Sequence, residues 1–212
     1  MATLHQATLT PSKLELLSSW VPEQPWWPHD SACAIDLSVD YRFDDPDGEV
    51  GIQTYLLRTE LGTVVQVPVT YRDAPLDVAE EHLIGTSMHS VLGKRWLYDG
   101  CADPVCVRAF ATAILTGGSQ AVLEILTPQG PQVREPSAVV RGTGDEELAP
   151  VAPSSPAYDN GDNRADIRWA DLRLEIGRCV LAPGRALDGD FFLEGTWPGQ
   201  PEPVRLAGIK RS

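Results

Sequence analysis

No stretch of this 212-residue chain approaches the roughly 20 consecutive apolar residues that a membrane-spanning helix needs. The N-terminus lacks a basic region followed by an apolar run, so no secretory signal is expected and the chain is expected to be cytoplasmic, with its thiols reduced. No CxxC pair occurs among Cys33, Cys101, Cys106 and Cys179, which argues against structural zinc. Positive charge is scarce: 17 Lys and Arg stand against 30 Asp and Glu, a formal net charge of −13. A nucleic-acid binder must neutralise phosphates, and an anionic membrane surface repels acid, so neither partner is expected. Acidity of this size keeps a protein soluble and favours, if any partner, a basic one.

Catalytic signatures are missing as well. Neither GxxxxGK[ST] nor GxGxxG occurs, so no phosphate-cradling loop is encoded in the usual form. No catalytic Asp with a second, metal-binding Asp sits in a kinase-like setting. Gly85-Thr86-Ser87-Met88-His89 is not a GxSxG elbow. Asp44, Asp45, Asp47 and Glu49 crowd one segment without the alternate spacing of a calcium loop, and a β-turn is the simpler reading. Asp159-Asn160-Gly161-Asp162-Asn163 reads as a solvated loop. No catalytic residue, metal ligand or cofactor is expected.

What is present is a β-rich pattern with helices. Thr10 is the expected N-cap of a first helix with Pro11 at its first position, Glu15 near its start, Leu14, Leu17 and Trp20 on one face, and Pro22 ending it. Ile35, Leu37, Val39, Tyr41 and Phe43 alternate as a half-buried strand does. Val50–Arg58 and Thr63–Tyr71 continue an antiparallel meander, and Pro68 demands an edge or a bulge in the third strand. Ala79–His82 reads as a short helical turn, and the second half of 82–100 as a strand with Trp96 and Tyr98 on one face. Asp103 caps a second helix opening on Pro104, with Val107, Phe110, Ala111, Ile114 and Leu115 as its apolar face, Cys106 as a buried small hydrophobe, and Gly117-Gly118 as its stop. Ala121–Thr127, Ser137–Arg141, Ile167–Ile176, Phe191–Trp197 and Val204–Ile209 are further candidate strands. Residues 142–165 read as a linker or exposed loop.

Against this background, Ala7 to Leu17, Trp20-Val21-Pro22-Glu23-Gln24-Pro25-Trp26-Trp27, Phe43 to Gly51, Val67 to Arg72 and, above all, Glu81 to Gly100 followed by Asp103-Pro104-Val105 resemble the N-terminal cap domain of actinobacterial maltokinases and related stand-alone cap-like proteins. The resemblance covers about the first 115 residues. It implies an α+β fold: a curved antiparallel sheet, similar to a cystatin-like cap, with two or more helices and here a β-rich C-terminal extension. The expected organisation is a cap-like region at 1–118, further strands of the same domain at 119–141, the linker at 142–165, and a β-rich part at 166–212 packed on the same sheet. In maltokinases the cap precedes a kinase body that phosphorylates maltose. That body is not in these 212 residues, so none of the family's catalytic residues carries over.

The expected function is therefore a non-catalytic accessory or regulatory role in α-glucan, glycogen, maltose or trehalose metabolism. The expected partner is a sugar kinase or an α-glucan enzyme, or a sugar or nucleotide ligand, with homo-oligomerisation left open. The candidate ligand or partner surface is His82, His89, Lys94, Arg95, Trp96, Tyr98 and Asp99, with an aromatic patch at Trp20, Trp26 and Trp27. A cation beside an aromatic ring suits an anionic or sugar ligand. The alternative is a small-molecule binding protein, or an unrecognised enzyme, with a cavity in the curved sheet lined by Trp96, Tyr98, His82 and His89.

Overall fold

The computed structural model describes residues 2–4, 8–30, 33–127, 130–147, 150, 153, 157–161, 163–181 and 186–211, with the backbone alone at 2–4, 124–127, 131 and 157. The elements follow in the order β1 (Ala2–Leu4), β2 (Leu9–Thr10), α1 (Lys13–Trp20), β3 (Ile35–Phe43), β4 (Gly51–Thr59), β5 (Val64–Arg72), β6 (Leu83–His89), β7 (Gly93–Asp99) and α2 (Pro104–Thr116). Then come β8 (Leu123–Thr127), β9 (Gly130–Arg134), β10 (Val139–Gly142), β11 (Ala157–Gly161), β12 (Arg164–Trp169), β13 (Leu172–Gly177), β14 (Phe191–Trp197) and β15 (Gln200–Arg211). Short 3-10 turns occupy Val21–Glu23, Asp77–His82 and Gly100–Ala102.

Two six-stranded antiparallel sheets dominate. The first runs β2-β6-β7-β5-β4-β3 and the second β10-β14-β15-β13-β12-β11. A small third sheet joins β1, β8 and β9, with β1 parallel to β8. The fold is thus α+β and β-rich, as the alternation of the sequence indicates.

Helix α2 lies at the centre of the larger core. Asp103 caps it by accepting from Val105 N, Pro104 occupies its first turn, and Gly117 closes it at φ 66°. Its buried residues Cys106, Val107, Phe110, Ala111, Ile114 and Leu115 share one cluster with Val39, Phe43 and Leu56 of the first sheet and Val140, Ile167, Leu174, Leu193 and Leu206 of the second. Each large apolar side chain buried this way contributes about 1.5–3 kcal/mol. The opposite face of the first sheet is covered by α1 and the turn after it, through Leu17, Val21 and Trp26 packed on Tyr55, Leu57, Val67 and Leu97.

The sheets are also stitched by hydrogen bonds. Gln66 N donates to Arg178 O at 2.7 Å and Val180 N to Val64 O at 3.1 Å, so the first half of β5 borders the strand end at 178–180. The buried Gln66 side chain accepts from Tyr41 Oη and donates to Gly177 O and Leu206 O. Pro68 is accommodated there. Its nitrogen points to the same side of β5 as Gln66 N, where the neighbour changes from 178–180 to β7, which pairs only with Val69–Arg72. No ladder bond is lost by the missing N–H, and β5 is neither an edge nor bulged at this point.

Several expectations shift. Ser12, not Thr10, caps α1: its side chain accepts from Glu15 N while Glu15 accepts from Ser12 N, a capping box. Thr10 instead pairs with Met88 in β2. The first half of 82–100 is also a strand, β6, and β9 was not foreseen. Part of 142–165, expected as a linker, is structured. Gly144 N and Glu146 N donate to Ile114 O and Leu115 O at the end of α2, satisfying carbonyls that a helix terminus leaves open. Further on, β11 and the start of β12 fall within the same range. Residues 148–149, 151–152, 154–156 and Asp162 of that range lie outside the described residues. Asp45 explains its acidic cluster, accepting from Asp47, Glu49 and Val50 N as the anchor of a turn.

Candidate functional site

Strands β6 and β7 form a hairpin with Met88 opposite Lys94, Thr86 opposite Trp96 and Ser87 opposite Arg95. Side chains alternate across a sheet, so Thr86, Met88, Lys94 and Trp96 share one face. The other face is turned to α1, where Ser87 Oγ donates to Pro11 O at 2.7 Å and a Cβ on Gly85 would lie 2.9 Å from Leu16. The first face is open. Met88 is 56% exposed, Trp96 is half-buried, and Lys94 Nζ stands 4.7 Å from the centre of the Trp96 ring. At the turn, Val91 and Leu92 are 58% and 50% exposed. His89 holds that turn, its Nδ1 accepting from Val91 N and Leu92 N, and Arg95 donates to Leu92 O.

Other members of the expected surface go inward. Tyr98 is buried beside Ala79 and Ala102, and its hydroxyl accepts from Leu76 N. His82 stacks edge-on against Tyr158, ring centres 4.8 Å apart. Asp99 is fully buried and pairs with Arg178, which is equally buried. Asp99 Oδ2 also accepts from Tyr158 Oη at 2.7 Å, and Asp99 Oδ1 accepts from Cys101 N. Arg178 donates through Nε to Asn160 Oδ1 and through Nη2 to Tyr158 Oη. Its guanidinium carbon sits 4.8 Å from the centre of the Trp26 ring. Trp26 is 1% exposed and tilts against Trp20 at 6.0 Å, so it belongs to the core under α1, while Trp20 and Trp27 remain half-buried around it.

This network is a lock between the two sheets. Asp99 ends β7, and Tyr158, Asn160 and Arg178 come from β11 and the end of β13. Arg178 has a sequence signal in retrospect: it is one charge inside the run from Ile176 to Leu181. Tyr158 and Asn160 have none, since they sit in a stretch whose composition is that of a loop. Burial pushes the thiols of Cys101 and Cys106 well up, so both stay protonated and are poor nucleophiles at neutral pH.

A cleft of about 640 Å³ lies away from the hairpin. It runs between the outer face of α2 and the segments 43–47 and 118–122, lined by Phe43, Asp45, Val105, Arg108, Thr112 and Gln120 among others. None of Trp96, Tyr98, His82 and His89 lines it. No helix among the described residues is long and apolar enough to cross a membrane.

The candidate site is thus an exposed, mixed apolar and cationic hairpin on a β-rich α+β scaffold, backed by a buried ionic lock. Residues 20–103 match the maltokinase N-terminal cap domain family. The matched part runs from the end of α1 through β3–β7 to the cap of α2 and is similar to that cap domain. Residues 104–212 lie outside the match. No curated protein matches the chain.

Proposed function

We propose that this chain is a non-catalytic, cap-like accessory protein of α-glucan, maltose or trehalose metabolism, and that it binds a sugar kinase or an α-glucan-metabolising enzyme through the β6–β7 hairpin. The observation that carries the reading is the exposed strip Met88, Lys94 and Trp96 with Val91 and Leu92 at its tip, inside the segment that matches a kinase cap. Exposed apolar side chains ringed by charge are what a partner surface presents. Lys94 is an exposed cation on this strip in a chain of net charge −13, which suits an acidic partner surface. The test is affinity capture with the wild type and with Met88→Asp/Lys94→Glu. The proposal expects a sugar-phosphorylating or α-glucan enzyme with the wild type and its loss with the variant. Recovery of no such enzyme, or equal recovery by the variant, overturns it.

A second reading rests on the cleft beside α2, whose 640 Å³ and mixture of apolar and polar walls fall in the range of small-molecule sites. A ligand there makes the chain a small-molecule binding protein, and Thr112→Trp, which fills the cleft, abolishes its binding while leaving hairpin capture intact.

A further inference from the structure

Beneath the first turn of α1 the first sheet carries a cluster of polar groups that its own residues do not balance. Lys13 Nζ donates to Gln53 Oε1 at 2.8 Å, and Gln53 Nε2 donates to Asp40 Oδ2 at 2.6 Å. The same ammonium lies 5.1 Å from the centre of the Tyr71 ring and 5.7 Å from that of Tyr55. The two tyrosine hydroxyls share one hydrogen bond of 2.6 Å. Arg42 completes the group, directly opposite Gln53 in the β3–β4 ladder and two residues from Asp40 on the same face.

Arg42 and Asp40 are the charged groups that bear on Lys13, and Arg134 and Glu135 stand with them at an adjoining cavity. Asp40 is already engaged, by Gln53 and by Ser137 Oγ. Arg42 Nε is buried and has no hydrogen-bond partner among the described residues. A buried donor left unmade costs about 1–3 kcal/mol, more on a charged group. Lys13, Arg42 and Arg134 against Asp40 and Glu135 leave one excess positive charge beside one spare donor, in a protein whose overall charge is strongly negative. A cavity of about 80 Å³ adjoins Arg42 along the edge of β3, with Asp40, Gln120, Arg134, Glu135 and Ser137 among its walls, while Lys13 stands outside that lining. That is room for several waters or one phosphate-sized group.

We infer that the cavity beside Arg42 is a binding site for a small oxyanion of the phosphate class, free or as the terminal group of a phosphorylated metabolite, with Lys13 as a second cation acting on it from the α1 side. Arg42 offers the fork that matches two oxygens of such a group, and Lys13 a point charge beside it. Asp40, held by Gln53 and Ser137, and Glu135 together limit the excess charge to one. The site is separate from the β6–β7 hairpin, so it stands whether or not the hairpin binds a partner.

The test uses the intact chain in a phosphate-free buffer. Its lysines are Lys13, Lys94 and Lys210, so carbon-13 reductive methylation gives few signals, with Lys94 and Lys210 as internal controls. Inorganic phosphate is titrated against sodium chloride at equal ionic strength, and glycerol 3-phosphate against glycerol separates an ester from the free anion. The Lys13 signal is expected to titrate near pH 8 without phosphate and about one unit higher at saturation, because an anion binds the ammonium form more tightly. Lys94 and Lys210 are expected not to move. Arg42→Gln is expected to weaken phosphate binding about tenfold or more. A Lys13 signal that phosphate leaves unchanged, or moves no more than the two control lysines, overturns the inference without recourse to any variant. Equal phosphate binding by a folded Arg42→Gln variant does so too.

Discussion

Removal of the Asp99 carboxylate is the sharpest probe of how the two sheets are held together. In Asp99→Ala the Arg178 guanidinium stays where it is, with no exposed surface, and loses its counter-charge. The Tyr158 hydroxyl and Cys101 N lose an acceptor at the same moment. Breaking a buried ion pair from one side costs about 3–5 kcal/mol, because the surviving charge is left uncompensated. Set against a total stability of about 5–15 kcal/mol, this is about a fifth or more of the whole. With a urea slope of about 2 kcal/mol/M, the midpoint falls by about 2 M. Arg178→Met, which leaves the carboxylate alone, is expected to cost a similar amount. The double variant Asp99→Leu/Arg178→Met removes both charges and is expected to be much less destabilised than the sum of the singles. A loss below about 1 kcal/mol for Asp99→Ala, or strict additivity in the double variant, refutes the view that this pair locks the sheets.

Two more perturbations test the packing around α2 and α1. A Cβ at position 142 would stand 1.8 Å from Ala113 O, so Gly142→Ala forces the backbone off the helix end. It is expected to cost about 3 kcal/mol or more, and an unchanged melting temperature contradicts the contact. Burial first, and then Arg42, lower the Lys13 ammonium from 10.5 to about 8, with Asp40 partly opposing. The folded chain therefore sheds this proton earlier than the unfolded one. Lys13 contributes stability that rises with pH between 8 and 10.5, and the full cost of its charge stands below 8. Lys13→Met is thus expected to gain about 1 kcal/mol at pH 7, after discounting for partial exposure, and to lose that gain near pH 10.5. A difference from wild type that does not vary with pH, measured by urea unfolding, contradicts it.

The parts of the fold written in local chemistry are legible in the sequence. Asp103, Pro104 and Gly117 bound α2 because each satisfies a terminal requirement of its own. The alternation from Val39 to Phe43 holds in β3, but a register shift between Leu37 and Val39 leaves Leu37 exposed and turns Ile35 to the α1 side. Ala170 at φ 48° marks the change of phase between β12 and β13. Legibility fails where a glycine serves a distant neighbour. Gly85 reads as a breaker, yet it lets β6 pass close beneath Leu16. Gly142 and Gly144 read as linker, yet they let the backbone lie against the last turn of α2. The site divides in the same way. Lys94 and Trp96 are visible as a cation beside an aromatic, and they meet in the structure. Asp99 in the same stretch is indistinguishable from a surface acid until its partner, 79 residues away, is placed beside it.

That partner also bears on where the cap-like part ends. The matched residues stop at 103, but their physical completion does not. Val64 and Gln66 of β5 bond to the strand end at 178–180, and Tyr41 reaches Gly177 and Leu206 through Gln66. Val39, Phe43 and Leu56 share one buried cluster with Val140, Leu174 and Leu206. Cut after Gly118, the chain keeps α2 but uncovers the side of it that faces β10, β14 and β15. It also leaves Asp99 buried without its cation. The second half therefore supplies the wall against which α2 is buried and the charge that Asp99 requires, so the matched segment of this chain takes its stability from residues beyond it.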